Sequence, residues 1–105
     1  MVAEFGLNGM GLYGSSKAAL VLLTKSWAAE FGPAGVRVNT VAPGPTATDQ
    51  NLAAAESLAP IVSRIPSGRM SALDEVAAAV VFLASDFASG IHGATLSVDG
   101  GFTAA

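Results

Sequence analysis

The run Ala18-Ala-Leu-Val-Leu-Leu23 lies inside an Ala- and Leu-rich segment, Leu12 to Phe31, that reads as one helix stopping at Gly32-Pro33. From Ala18 to Leu23 every position is apolar, so the helix there has no solvent face. A helix that is hydrophobic all round is buried all round. It needs a sheet on one side and a second cover, another helix, on the other. Little else in the chain supplies that second cover. The composition agrees: hydrophobic residues make up 51% of the 105 and charged residues only 12%, apolar for a small domain with a high surface-to-volume ratio. A chain of this length is at most one domain, or part of one.

After the helix, Val36-Arg-Val-Asn-Thr-Val-Ala42 is a β-branched run bounded by Gly35 and Pro43 and reads as a strand. Pro43-Gly44-Pro45 ends it in a preset loop. Asp49 to about Ser63 is Ala-rich with weak periodicity and reads as short helical pieces. Ser71-Ala-Leu-Asp74 has capping-box spacing. It opens a helix through Ser85 with Val76, Val80 and Leu83 on one stripe. Gly90 to Gly93 is a turn, Thr95-Leu-Ser-Val98 a short strand, and Asp99-Gly100-Gly101 closes it. Helix, strand, helix, strand is an α/β order, and two strands joined through a helix should be parallel. Two strands make no stable sheet alone, and parallel strands expect cover on both faces. The expected fold is therefore the second, C-terminal half of a doubly wound, Rossmann-type parallel sheet, incomplete across residues 1–105, with its helices packing as in an oligomer.

Several function classes are set aside. The net charge is −3, with Lys and Arg totalling 5, so there is no basic stripe for nucleic acid. No cysteine is present, hence no disulfide framework and no thiolate metal site. The longest apolar run, Ala18 to Leu23, is far too short to span a bilayer, and Met1 to Gly9 lacks a secretory pattern. A cytoplasmic protein without a membrane partner is the expectation.

Chemistry enters at Tyr13-Gly-Ser-Ser-Lys17. Residues at i and i+4 share a helix face. A nearby cation favours the phenolate, so Lys17 can bring the Tyr13 phenol toward working pH and fit it to act as general acid or base. Gly9-Met-Gly11-Leu-Tyr-Gly14 is a literal G-x-G-x-x-G, but a dinucleotide fingerprint follows a full strand and is followed by an acidic residue ending a second one. Neither condition is met, and the segment reads as a flexible approach to the helix. His92, the one histidine, reads as structural or solvated, and no metal site is assigned. Trp27 reads as packing, Asp74 and Glu75 as N-terminal helix charges, and Arg37 and Arg69 as surface or interface residues. Asp99 is placed to cap the final turn.

Four segments then carry a resemblance: Tyr13-Gly-Ser-Ser-Lys17-Ala-Ala, Val36-Arg-Val-Asn39-Thr-Val-Ala-Pro43-Gly44-Pro-Thr46-Ala-Thr48, Gly68-Arg69 before a capped helix, and Gly93-Ala-Thr-Leu-Ser-Val-Asp99-Gly100-Gly101. In this order and spacing, the chain resembles the C-terminal half of a short-chain dehydrogenase/reductase, nearest the 3-oxoacyl-carrier-protein reductase type. The resemblance implies an NAD(P)-dependent oxidoreductase moving hydride between a nicotinamide and a small carbonyl or alcohol substrate. It implies that Tyr13 is the general acid/base and that Lys17 tunes it and bonds the nicotinamide ribose. Pro43 and Gly44 would shape the loop beneath the nicotinamide, the Thr46 backbone would hold the carboxamide, and the Thr48 hydroxyl would reach the pyrophosphate. Asp49 to about Arg64 would be a substrate lid, and helix 13–31 would pack against its copy in a homo-oligomer.

Departures from the family pattern are equally plain. Its Gly-rich turn and its adenosine-ribose site are absent, its helix asparagine would lie upstream, and its catalytic serine would fall at or just beyond Met1, where no serine stands. Ser15 and Ser16 lie on the tyrosine's own turn and do not substitute. Two other readings stand beside the oxidoreductase: a truncated, non-catalytic half-domain serving as an oligomerisation or interaction module, and a minimal nucleotide binder built on Gly9 to Gly14.

Overall fold

A computed structural model describes residues 3–104. The first helix, α1 (Gly11–Phe31), closes its N-terminal turn with the Gly14 N–H on the Met10 carbonyl and without a side-chain cap. Its end differs from the expected glycine stop. Gly32 keeps a right-handed helical conformation and begins the 3-10 turn Gly32–Ala34, with Pro33 preset for a first turn. The left-handed residue that turns the chain away is Gly35, at φ 79°.

Strand β1 (Thr40–Pro43) runs parallel to β2 (Thr95–Val98), with Thr40 opposite Thr95 and Pro43 opposite Val98. The parallel pairing is as expected, but β1 starts later than its β-branched run. Pairing reaches back only to Val38, whose carbonyl accepts from the Gly93 N–H. Arg37, read as a surface or interface residue, is half-buried. Its guanidinium donates to the carbonyls of Leu83, Ser85 and Ala88, fastening the approach to β1 onto the end of a later helix. Asn39 bridges in the same way to Ile91 and Ala94, just ahead of β2.

Between the strands come α2 (Asp49–Ala53), α3 (Ala55–Val62) and α4 (Leu73–Ala84), followed by the 3-10 turn Asp86–Ala88. The α4 cap sits one residue later than the expected capping box. Ala72 is the N-cap, and the Glu75 carboxylate accepts its N–H at 2.7 Å. Ser71 instead buries its hydroxyl and donates to the Val98 carbonyl at 3.1 Å. The buried stripe of α4 is Ala79 and Leu83, while Val80 is exposed.

The core is small: Ala28, Ile65, Ala79, Leu83, Ala88 and Phe102 among the described residues. Phe5, on the approach to α1, packs its ring 5.7 Å from that of Phe102, joining the two ends of the described chain. The radius of gyration is 15.1 Å, against about 13 Å for a close-packed chain of this size. The excess has a visible origin, since α1 buries only Thr24 and Ala28 and leaves Leu20, Leu22, Leu23, Trp27 and Phe31 exposed. Among the described residues, no helix is long and apolar enough to cross a membrane.

Candidate active site

Tyr13 and Lys17 occupy the first two turns of α1, and the helix repeat sets them on one face. The Lys17 ammonium lies over the Tyr13 ring, 5.2 Å from its centroid, a cation–π contact. Tyr13 remains 49% exposed. Both residues line a cavity of about 640 Å³ floored by Thr40 to Pro45, which run along β1 and into the loop at its C-terminal end. Ligands bind at this end of the strands in open α/β sheets. Leu7, Met10 and Leu20 close one side; Asn51, Leu58 and Ile61, from α2 and α3, close the other. The Thr40 hydroxyl is held at 2.7 Å by that of Thr24, which in turn donates to the Leu20 carbonyl.

The loop after β1 is tightly held. The Gly44 N–H donates to the Val98 carbonyl at 3.0 Å, and a Cβ on Gly44 would meet Asp99 Cβ at 2.7 Å. Only glycine lets the loop cross β2 so closely. Farther on, Thr46 pairs with Ser71 in an isolated parallel bridge: Ser71 N–H donates to Pro45 and Ala47 N–H donates to Ser71. That pattern turns the N–H and C=O of Thr46 itself to the other side. Its oxygen accepts the Thr48 N–H at 2.8 Å and the Asn51 side-chain amide at 2.7 Å.

The expected site residues therefore divide. Tyr13, Lys17, Pro43 and Gly44 converge on the cavity. Thr46 and Thr48 stand on the adjoining loop. The Thr46 hydroxyl donates to the Gly44 carbonyl at 2.9 Å, and the Thr48 hydroxyl caps α2 by accepting the Asn51 N–H at 3.2 Å. As an acceptor there, the Thr48 hydroxyl keeps its proton free to donate elsewhere. The position at or just beyond Met1, where the resemblance sought a serine, lies outside the described residues. Asn51, next to Gln50 at the start of the lid, was missed by sequence reasoning. No strand stands among residues 3–10, so Gly9 to Gly14 does not have the setting of a dinucleotide fingerprint.

Outside the cavity, Arg69, Glu75 and Asp99 hold local structure. Arg69 pairs with Glu75 through two bonds, of 2.6 and 3.0 Å. This contact and the Ala72 N–H hold the Glu75 carboxyl down to about 2. Burial pushes the Asp99 carboxyl up, but the Thr103 hydroxyl and the N–H groups of Gly101 and Thr103 donate to it and leave it below its ordinary value. Asp99 thus caps the final turn, as expected. No group of three or more metal-type ligands gathers among the described residues.

This donor set fits the nicotinamide-ribose end of a dinucleotide. It has an ammonium and a phenol for hydroxyl groups, a loop with no side chain at Gly44, and the outward-facing N–H of Thr46 for a carboxamide. A family model described as enoyl-(acyl carrier protein) reductase matches residues 1–103. The chain is 43% identical over 102 residues to the 3-oxoacyl-[acyl-carrier-protein] reductase FabG of Salmonella typhimurium, covering 96% of this chain and 42% of that protein. It is 47% identical over 102 residues to a 3alpha-hydroxysteroid dehydrogenase of Mediterraneibacter gnavus, covering 95% and 40%. Its fold matches a gluconate 5-dehydrogenase from Burkholderia cenocepacia J2315, solved with NADP and tartrate, at a TM-score of 0.90 and 34% identity, covering 99% of this chain and 42% of that one. A Burkholderia thailandensis oxidoreductase of the short chain dehydrogenase/reductase family matches at 0.89 and 37% identity, covering 99% and 42%. The chain spans about two fifths of the length of the curated relatives it matches.

Proposed function

The chain belongs to the short-chain dehydrogenase/reductase family, and from that membership we propose that it works in NAD(P)-dependent interconversion of a small carbonyl compound and its alcohol. The observation that carries the reading is the convergence of Tyr13 and Lys17 on the cavity over Pro43 and Gly44. A nicotinamide bound there supplies or accepts the hydride. Tyr13 gives a proton to the carbonyl oxygen, or takes one from the alcohol. Lys17, a turn away with its ammonium over the Tyr13 ring, can bond a ribose hydroxyl. Pro43 and Gly44 present a floor without a projecting side chain at Gly44, and the outward-facing N–H of Thr46 offers a donor to the carboxamide, while its C=O is held by Thr48 and Asn51 in the ligand-free chain. The Thr48 hydroxyl keeps a proton to donate to a phosphate oxygen. Leu58 and Ile61 make the lid side apolar, which suits a substrate with a hydrocarbon portion.

In domain terms, residues 1–105 form the C-terminal half of a doubly wound domain, and the adenosine side would be held by elements beyond them. A second reading, the non-catalytic oligomerisation module, is favoured by one observation: the apolar, exposed outer face of α1. The two readings are compatible in a homo-oligomer packed through helix 13–31, and turnover separates them.

The test is titration of the chain with NADH and NADPH, followed by cofactor oxidation with a panel of ketones. Tyr13→Phe should keep cofactor binding but lose roughly 10²- to 10⁴-fold in rate, the range for a missing general acid. A Tyr13→Phe chain as active as the parent, or a folded parent that binds neither cofactor, overturns the oxidoreductase reading.

A further inference from the structure

Among the described residues, Asn51 is the one side-chain amide on the wall of the active-site cavity, and its Nδ2 donates to the Thr46 carbonyl at 2.7 Å. The same oxygen accepts the Thr48 N–H at 2.8 Å. A carbonyl oxygen has two lone pairs, so both acceptor positions of Thr46 are already taken from within the chain. The Asn51 side chain is a primary carboxamide, the same functional group that a nicotinamide carries. We propose that Asn51 is a stand-in for the cofactor's carboxamide: it occupies the Thr46 oxygen in the ligand-free chain, and binding of a nicotinamide displaces it. This rests on the proposed cofactor reading and adds to it a residue that tunes affinity and ties cofactor entry to the lid. Asn51 belongs to α2, the first piece of that lid, and its own N–H on Thr48 Oγ1 anchors α2 independently of its side chain. Displacing the amide frees the lid from the Thr46 loop while leaving α2 capped.

The experiment compares the parent chain with Asn51→Ala in binding NADPH, NADH and adenosine diphosphate ribose, which lacks the nicotinamide. Removing a competing neutral hydrogen bond should tighten reduced-cofactor binding by about fivefold, with affinity for the ribose fragment unchanged. Unchanged or weaker cofactor binding by Asn51→Ala, with a parent that binds, overturns the stand-in and leaves the cofactor reading intact. Equal tightening for the fragment also overturns it, since the gain would then not involve the carboxamide. If neither chain binds either cofactor, the cofactor reading fails and the stand-in falls with it. Hydrogen exchange on the ligand-free chains checks the contact itself. In Asn51→Ala, the Leu52 amide of α2 and that of Ala54, which closes α2 by donating to Gln50, should exchange faster while those of α4 keep their rates. Unaltered exchange in α2 overturns the lid coupling.

Discussion

A methyl group on residue 44 has nowhere to go: it would stand 2.7 Å from Asp99 Cβ and 2.8 Å from Asp99 Cα, the latter being backbone that cannot swing aside. Gly44→Ala must therefore push the loop off β2 or shift Asp99, whose carboxylate holds the final turn through Gly101 and Thr103. Overpacking of this kind costs about 1–3 kcal/mol, and the expected outcome is a denaturation midpoint lowered to match. An unchanged midpoint would mean that the two strand ends separate without cost. Sequence reasoning gave Gly44 a role in the loop under the nicotinamide; its steric reason is a crossing with a residue far along the chain, which no local pattern displays. Tyr13 and Lys17 were legible because their partnership is local, one helical turn. Asn51 was not, because its meaning depends on which carbonyl its amide reaches.

At the scale of elements, helices were read more closely than strands, because a helix is set by neighbours in sequence while a strand is set by its partner. The last residue of α1 fell where expected, and β2 kept its predicted limits. β1 was over-extended, because Val36 has strand-forming character but lies ahead of the ladder, and Arg37 beside it spends its donors on carbonyls near the end of α4. The start of α4 shows the same dependence: Ser71 looked like a cap, yet its hydroxyl serves Val98, and Glu75 does the capping by accepting the Ala72 N–H. That arrangement has a pH signature. The Glu75 carboxyl is held at about 2 in the folded chain, below its ordinary 4.5. A depressed carboxylate contributes stability that is fully present above its unfolded value and is lost as pH falls through the folded value. The contribution should thus fade between about 4.5 and about 2. Glu75→Gln should unfold at a lower temperature than the parent at neutral pH, with the gap narrowing as the solution is acidified through that window. A gap that stays constant would show that Glu75 acts on α4 by something other than its charge. The exposed position of the Arg69–Glu75 pair keeps the effect small.

For the whole molecule, the deciding quantity is the apolar surface left uncovered. Leu12 is 90% and Leu22 66% exposed on α1, and Leu20, Leu23, Trp27 and Phe31 join them. Apolar patches of this extent mark association surfaces, and a two-stranded parallel sheet leaves both strands with an open edge as well. Lost solvent exposure of leucine side chains is worth roughly 1.5–3 kcal/mol each when complete, so a few of them pairing across two copies of α1 suffice to hold an assembly against its entropic cost. The chain in solution should accordingly scatter light as a dimer or larger species. Leu22 is a clean probe of this face because it lies away from the cavity and from the buried Thr24 and Ala28. Leu22→Glu should lower the scattering mass while leaving the far-ultraviolet helical signal in place, since glutamate is as good a helix former as leucine. A parent chain that runs as a monomer, with α1 intact, would mean that its apolar face tolerates water, and the reading of helix 13–31 as an assembly surface would have to be abandoned. A Leu22→Glu chain that assembles as well as the parent would move the interface to the exposed strand edges, where charge placed on those edges becomes the next discriminating change.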